Sequence, residues 1–278
     1  MKLCAMKNIS HFCKHIFRFF FRQQLLNLFF KTMRVKFSFL KGRGGDGSLP
    51  LHHQKLISNF IREMLEDEPN NTGLYNFSTV KGTSKVQSGL IRFHSSKVSL
   101  AFSSVDDKIV QHLIERIFSF KEVYIGKFAL IPKGHQIIAD PAFEVKMKYV
   151  CISPLVVEPA FADDEQRHIP LEPSTHEFSD QLFNTMIDRM EKAGYSEEDL
   201  NSFAEFELQP DADYIKRLNE LGKKLVRHYK NDNNEMMPGY LIPFTLHAHP
   251  KVQKFIWDAG LGLYCNNGFG MVDVVAGS

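Results

Sequence analysis

The chain has 278 residues, of which 44% are hydrophobic and 24% are charged. This balance is that of a globular protein of one or two domains, and it excludes disordered, collagen-like and coiled-coil chains. The 34 Lys and Arg residues nearly equal the 32 Asp and Glu residues, so the formal net charge is only +2. No overall basic field therefore indicates a nucleic-acid-binding protein, and any such site must be a local patch.

Cysteine and histidine usage argues against a disulfide scaffold and against a metal centre. Four cysteines are too few to hold together a chain of this length, and none of them forms a CxxC pair. The HxH pair at 247–249 lacks a third clustered ligand. We therefore expect neither metal nor cofactor, and we interpret the cysteines as incidental thiols of a cytoplasmic protein; they are Cys4, Cys13, Cys151 and Cys265.

Residues 1–32 differ in composition from the rest of the chain. They contain six Lys or Arg residues, seven Phe residues and no acidic residue. Arg18 and Arg22 interrupt the apolar stretches, which argues against a transmembrane span. The apolar residues recur at helical spacing, as in a peripheral membrane helix. The alternating strand that follows Met33 looks like a natural protein start, so the favoured interpretation is an extension outside the fold.

The next hundred residues predict six elements in a recognisable order. Residues 34–40 alternate in polarity as a half-buried strand does, and the apolar stripe at 56–65 is helical, with Pro50 marking where the helix begins. The runs 90–94 and 98–104 predict a hairpin, 109–117 a second helix and 122–131 a closing strand. Strand, helix, strand, strand, helix, strand is the order of the ferredoxin-like fold.

The rest of the chain repeats this alternation with insertions. Residues 143–157 begin with a strand pattern, and Ser174 and Glu177 have capping-box spacing before a helix at 178–190. Helices at 196–206 and 211–229, a strand at 239–247, a helix at 249–259 and a strand at 268–275 follow. The sequence thus predicts an α+β fold of two tandem ferredoxin-like (βαββαβ) domains, 33–142 and 143–278, with a C-terminal glycine-rich loop.

That loop is the strongest local signal in the sequence. Four glycines within eleven residues allow the backbone to turn sharply, and their N–H groups could hold phosphates. A dinucleotide fingerprint would follow a strand and open a helix, and a P-loop would need Gly-Lys-Ser/Thr. Here the loop leaves a helix and enters a strand, so neither motif applies; the glycines are Gly260, Gly262, Gly268 and Gly270.

The loop, written GxG…N..GFGMV, resembles the glycine-rich signature of the RAMP (repeat-associated mysterious protein) superfamily. Within that superfamily it is similar to the CRISPR-associated endoribonucleases that process precursor crRNA. The similarity covers residues 33–278, and other features agree with it in order. These are the opening strand at 33–39, Leu49-Pro50, Ser153-Pro154-Leu155 and Pro238-Gly239-Tyr240.

The resemblance implies a metal-independent nuclease that cuts CRISPR repeat RNA. The 2′-hydroxyl of the RNA attacks the neighbouring phosphate and leaves a 2′,3′-cyclic phosphate and a 5′-hydroxyl. This chemistry needs a base, an acid and a cation near the charged transition state. The implied partners are precursor crRNA and subunits of the interference complex; no membrane is implied, and a monomer and a homodimer both remain open.

The candidate catalytic residues lie near the first helix and in the segment after it. His53 sits over the apolar stripe near the helix N-terminus, where the helix dipole favours the neutral base. His52 points about 100° away and ranks second. The stretch from Lys81 to Lys85 resembles the lysine-bearing segment of the family. We assign Lys85 to the transition-state cation, Lys81 to a phosphate contact and Tyr75 to an assisting role.

Further residues are predicted to hold RNA, and two other functions stay open. A catalytically inactive RNA-binding subunit is one, because residues 75–78 contain no histidine. A nucleotide-binding α+β protein is the other. Besides Lys81, the predicted RNA contacts are Arg34, Lys36, Arg43, Asn266 and the loop glycines Gly260, Gly262, Gly268 and Gly270.

Overall fold

A computed structural model describes residues 34–44, 47–66, 68, 71–158, 170–203, 205–231 and 235–275. The chain divides into two compact units, Met1–Thr32 and Met33–Ser278. The prediction for residues 1–32 lies outside the described residues, as do Cys4 and Cys13.

The N-terminal half of this unit contains eight strands and two helices among its described residues. Strand β1 begins at the alternating pattern noted above, and its residues Val35, Phe37 and Phe39 are buried. The elements are β1 (Arg34–Lys41), β2 (Ser48–Pro50), α1 (Gln54–Met64), β3 (Tyr75–Phe77), β4 (Ser84–Gln87), β5 (Leu90–Phe93), β6 (Lys97–Ser104), α2 (Asp107–Ser119), β7 (Val123–Ile125) and β8 (Phe128–Ile138).

Five of these strands form an antiparallel sheet in the order β3-β6-β1-β8-β7. Four of them, β1, β3, β6 and β8, correspond to strands one to four of a βαββαβ unit, and α1 and α2 are its two helices. The spatial order of these four strands is 4-1-3-2. The buried stripe of each helix packs into the same core as Phe37, Phe77 and Phe102. This half is therefore ferredoxin-like, as the sequence predicted.

Three local predictions for this half are wrong. The run 90–94 does not pair with 98–104: β5 pairs with β4 through the turn Ser88-Gly89, and β3 takes the vacant place beside β6. Both turn residues have positive φ, as a two-residue hairpin requires. Pro50 ends β2, and the helix begins at Gln54. The predicted strand 122–131 is a hairpin, β7 and β8, that turns at Gly126.

The second half repeats the fold with an insertion. Its elements are β9 (Lys146–Cys151), α3 (His176–Lys192), α4 (Glu197–Asn201), β10 (Phe206–Pro210), α5 (Ala212–Glu220), β11 (Val226–Lys230), β12 (Met236–Tyr240), β13 (Pro243–Ala248), α6 (Pro250–Ala259), a 3-10 turn (Cys265–Asn267) and β14 (Val272–Val274). The antiparallel sheet β10-β13-β9-β14 has the same 4-1-3-2 order when read from β14. The α+β class with two ferredoxin-like repeats is thus confirmed.

Several boundaries in this half differ from the predictions. Thr175, not Ser174, caps α3 by accepting a hydrogen bond from the Phe178 N–H. The helix predicted at 196–206 ends at Asn201, where β10 soon follows. The helix predicted at 211–229 is α5 followed by β11, because the chain turns at Gly222 with φ +62°. The strand predicted at 239–247 is two strands, β12 and β13.

Each sheet has its own hydrophobic core. The second core gathers Tyr149, Tyr240 and Phe244 under α3 and α6. Across the part of the chain that the structure describes, no helix is long and apolar enough to cross a membrane. Nor do three or more His, Cys, Asp or Glu side chains cluster there as metal ligands would.

Candidate functional site

The glycine-rich loop, residues 260–271, fills the seam between the two sheets. A Cβ atom on Gly268 would overlap the ring of Phe77 on β3, and one on Gly260 would overlap the amide of Asn76. A Cβ on Gly270 would overlap the carbonyl of Leu261 within the loop itself. All three glycines have φ between +71° and +87°. Glycine is therefore required here for close packing and for a left-handed backbone.

The same packing corrects the prediction that these glycines cradle phosphates. All four are buried. The N–H of Gly260 donates to the Ile256 carbonyl (2.8 Å), that of Gly268 to Cys265 (3.1 Å) and that of Gly270 to Pro154 (2.7 Å). The loop, Gly262 included, is buried and packs between the two sheets.

Arg34, predicted to contact RNA, is buried in this seam with 2% of its surface exposed. Its guanidinium stacks on Trp257 of α6 at 3.4 Å from the ring centroid. It donates hydrogen bonds to the carbonyls of Val272 (2.8 Å) and Trp257 (2.5 Å), and Asp273 lies 3.8 Å away. Burial lowers the pKa of Arg34 to about 10, against the opposing charge of Asp273, so it stays charged at neutral pH. Arg34 ties β1 to the second sheet and is not an RNA contact.

His53 lies at the N-terminus of α1, as predicted, and its ring is held in a defined state. The ring nitrogen Nδ1 lies 3.1 Å from the Pro50 carbonyl and 3.3 Å from the Leu51 carbonyl, so Nδ1 carries a proton. Nε2 is buried and meets no hydrogen-bond partner among the described residues. Burial lowers the pKa of His53, and the charges of Lys81 and His52 lower it further. The result is a neutral imidazole whose Nε2 can accept a proton.

His52 is only partly buried and contacts the second half of the protein. Its ring meets that of Tyr229 on β11 edge to face, with centroids 6.2 Å apart and an interplanar angle of 88°. Tyr229 in turn meets Phe269 of the glycine-rich loop at 6.1 Å. The two adjacent histidines therefore lie where the first helix meets the seam between the sheets.

The structure separates the other predicted catalytic residues. Lys81 pairs with Ser99 through two backbone hydrogen bonds of 2.8 and 2.9 Å, and its charge acts on His53. Lys81 as a whole is exposed, but partial desolvation lowers the pKa of its ammonium group. Lys85 is exposed on β4. Tyr75 is 3% exposed and packs against Phe102 in the first core, and its assisting role stays a prediction.

The remaining predicted RNA contacts are exposed, and sequence reasoning missed one polar link across the seam. Lys36, Arg43 and Asn266 are all exposed. The missed link joins Arg62 of α1 to Asn267, with Nη2 3.3 Å from Oδ1. Only the fold brings these last two residues together, since 205 positions separate them in the sequence.

Comparisons with known proteins agree with this architecture. Residues 138–274 match the family described as "CRISPR associated protein Cas6, C-terminal". The "Putative CRISPR-associated endoribonuclease-like protein Cas6" of Pyrococcus furiosus is 25% identical over 186 residues, which cover 66% of this chain and 71% of that protein.

Solved structures share the fold. One described as "Characterization of a Cas6-related gene from Pyrococcus furiosus" superposes with a TM-score of 0.73 and 21% identity, covering 89% of this chain and all of the other. "An RAMP protein binding different RNA substrates" gives 0.70 and 21% identity over 87% of this chain and 99% of that protein. Two ferredoxin-like repeats with a glycine-rich loop between them are therefore the fold that this chain shares with these structures. The match of residues 138–274 and the Pyrococcus furiosus relative together support a CRISPR-associated protein of the Cas6 type.

Proposed function

We propose that this protein is an endoribonuclease that binds CRISPR repeat RNA and cuts precursor crRNA without a metal ion. The observation that carries the proposal is the state of His53. Its Nδ1 proton is fixed by backbone carbonyls, and its Nε2 is left without a partner among the described residues. Its pKa is lowered, so the ring is the neutral base that this reaction needs.

The chemistry requires only the RNA and the side chains. Nε2 of His53 takes the proton of a ribose 2′-hydroxyl, and the oxygen attacks the adjacent phosphorus. The new bond joins phosphorus to O2′, the bond to O5′ breaks, and O5′ takes up a proton. The products carry a 2′,3′-cyclic phosphate and a 5′-hydroxyl, and His52 is the neighbouring group able to supply the proton to O5′.

Lys81 takes the role that the sequence assigned to Lys85. A cation near the base stabilises the negative charge that develops on the phosphate. The charge of Lys81 reaches His53 and lowers its pKa, whereas Lys85 is exposed on β4. Lys36 and Arg43 are exposed cations that can contact the RNA backbone.

The proposal is tested by incubating the full chain with end-labelled repeat RNA from the same genome in EDTA. A second RNA carries a 2′-deoxy group at the cut site. We expect a single cut in the first RNA and none in the second, because the nucleophile is the missing hydroxyl. Loss of cutting in EDTA would contradict the mechanism.

Tight binding without a cut would favour the alternative of an RNA-holding protein. One observation supports that alternative: His53 is only 3% exposed, so RNA must displace a neighbour to reach Nε2. The same incubation therefore separates the two functions, since both bind RNA and only one cuts it.

The pH dependence of cutting provides a further prediction. The base works in its neutral form, and an ordinary histidine loses that form as the pH falls through its pKa of 6.5. Because the pKa of His53 is lowered, cutting should persist below pH 6.5 and should decrease only as the pH falls through that lowered pKa. Lys81→Met should move this acidic limb to higher pH, since it removes a charge that lowers the pKa. The matched control is Lys85→Met, which should leave the limb in place. Single-turnover rates between pH 4.5 and 8 measure both; an unmoved limb in Lys81→Met would contradict the pairing.

A further inference from the structure

We infer that Tyr229 is a positioning residue: its ring, supplied by the second half of the protein, fixes the orientation of His52 in the first. The inference rests on the proposed function as far as activity is concerned. The contact itself is a property of the fold and can be measured separately.

Apart from Tyr229, the described residues offer little that would orient the ring of His52. Its Nδ1 is buried and has no hydrogen-bond partner among the described residues. Histidine rings at functional sites are usually oriented by a hydrogen bond at one ring nitrogen. Here the edge-to-face contact with Tyr229 takes that place. Aromatic pairs in this arrangement stabilise each other beyond the effect of the area they bury.

Tyr229 is itself held firmly from several directions. It is 7% exposed and lies on β11 opposite Met237 of β12. A Cβ atom on Gly239 would lie 2.8 Å from its Cδ2, so glycine at this position makes room for the ring. Phe269 also meets its ring, with centroids 6.1 Å apart and an interplanar angle of 81°. A ring confined in this way can transmit a fixed position to His52.

The hairpin that carries Tyr229 is anchored to the second ferredoxin-like repeat. Leu155 and Tyr240 exchange two backbone hydrogen bonds of 2.8 Å, which fix the end of β12. Burial raises the pKa of Tyr229, against the opposing charge of Arg227, so the ring that meets His52 is a neutral phenol. The geometry of the histidine pair that precedes α1 thus depends on a strand of the other half.

Two substitutions test this inference. Tyr229→Leu removes the ring, and Tyr229→Phe keeps it. We expect Tyr229→Leu to shift the His52 ring signals in carbon-edited proton NMR towards those of an exposed histidine, because the ring current is lost. The single-turnover rate of cutting should fall about tenfold because the ring of His52 is misplaced, and the Kd for RNA should be nearly unchanged. Tyr229→Phe should preserve both properties.

A matched control is Tyr195→Leu, which removes another tyrosine of the second half that packs on Phe203 and Phe255. It should leave the His52 signals and the cutting rate unchanged. If Tyr229→Leu fails to fold, nuclear Overhauser contacts between the His52 and Tyr229 rings in the wild type test the contact directly.

The outcomes separate this inference from the proposed function. A wild type that binds RNA without cutting it overturns the proposed function, while the NMR shifts still decide whether Tyr229 fixes His52. A wild type that cuts, together with a folded Tyr229→Leu variant that cuts equally fast, overturns the inference alone. Equal losses in Tyr229→Leu and Tyr229→Phe would also overturn it, because the ring would not be the cause.

Discussion

Replacement of His53 by alanine is expected to lower the single-turnover rate of repeat RNA cutting at least about a hundredfold. A positioned general base typically contributes a factor of about 10² to 10⁴ to the rate. The Kd for RNA should change by less than about twofold, because neutral His53 contributes no charge and phosphate contacts dominate affinity. A loss in rate without a loss in affinity identifies an interaction made in the transition state.

The controls for this variant address folding and the choice of histidine. His53→Gln keeps a side-chain N–H and removes the titratable base, so it should lose activity to a similar extent. His176→Ala changes an exposed histidine at the start of α3 and should cut at the wild-type rate. Wild-type cutting by His53→Ala would remove His53 from the mechanism and transfer the base to His52, which His52→Ala then tests.

Replacement of Arg34 by methionine is expected to lower the free energy of unfolding by about 3–5 kcal/mol, because two buried carbonyls each lose a charge-assisted hydrogen bond that contributes about 1.5–3 kcal/mol. Methionine fills much of the space but donates no hydrogen bond. The carbonyls of Val272 and Trp257 would lose charged donors at 2.8 and 2.5 Å. The stacking on Trp257 would also be lost.

Lys36→Met provides the matched control for this variant. Lys36 lies two residues further along β1, on the same face of the sheet, but is exposed. Its replacement should change stability by less than about 0.5 kcal/mol. Urea unfolding can be followed by the fluorescence of Trp257, the only tryptophan in the chain and the ring on which Arg34 lies. Equal stabilities of the two variants would show that Arg34 does not tie the sheets together.

Elements with a strong local pattern could be predicted from the sequence. Helices α1, α2 and α3 have apolar residues at helical spacing, and β1 alternates in polarity; both patterns depend only on neighbours a few positions away. The fold class followed from the order of these elements. The packing of the glycines at 260–270 could not be predicted, since overlap of a Cβ on Gly268 with Phe77 involves residues 191 positions apart.

Strand pairing was less predictable. Runs 90–94 and 98–104 are neighbours in the sequence and satisfy the hairpin pattern, yet β5 pairs with β4 and β2. The positive φ angles at Ser88 and Gly89 form the turn that actually closes a hairpin. The short strand β3 has only three residues, all of them buried, so it offers no alternation from which it could be predicted.

Some features of the candidate site could likewise be predicted from the sequence, and others could not. The position of His53 at a helix N-terminus followed from the sequence, whereas the effect of the Lys81 charge on the pKa of that ring depends on the tertiary structure. Tyr229 carries no local signal, because its relation to His52 spans 177 residues.

Arg34 and Lys36 show most directly what the sequence determines and what only the tertiary structure determines. Their spacing of two on β1 determined that both side chains lie on the face opposite Val35 and Phe37, since a strand alternates its side chains. The sequence could not determine that Trp257 and Val272 of the other half cover one end of that face and leave the other end exposed. Burial depends on the packing of segments more than 200 residues apart, and it makes Arg34 a structural link between the sheets while Lys36 stays exposed.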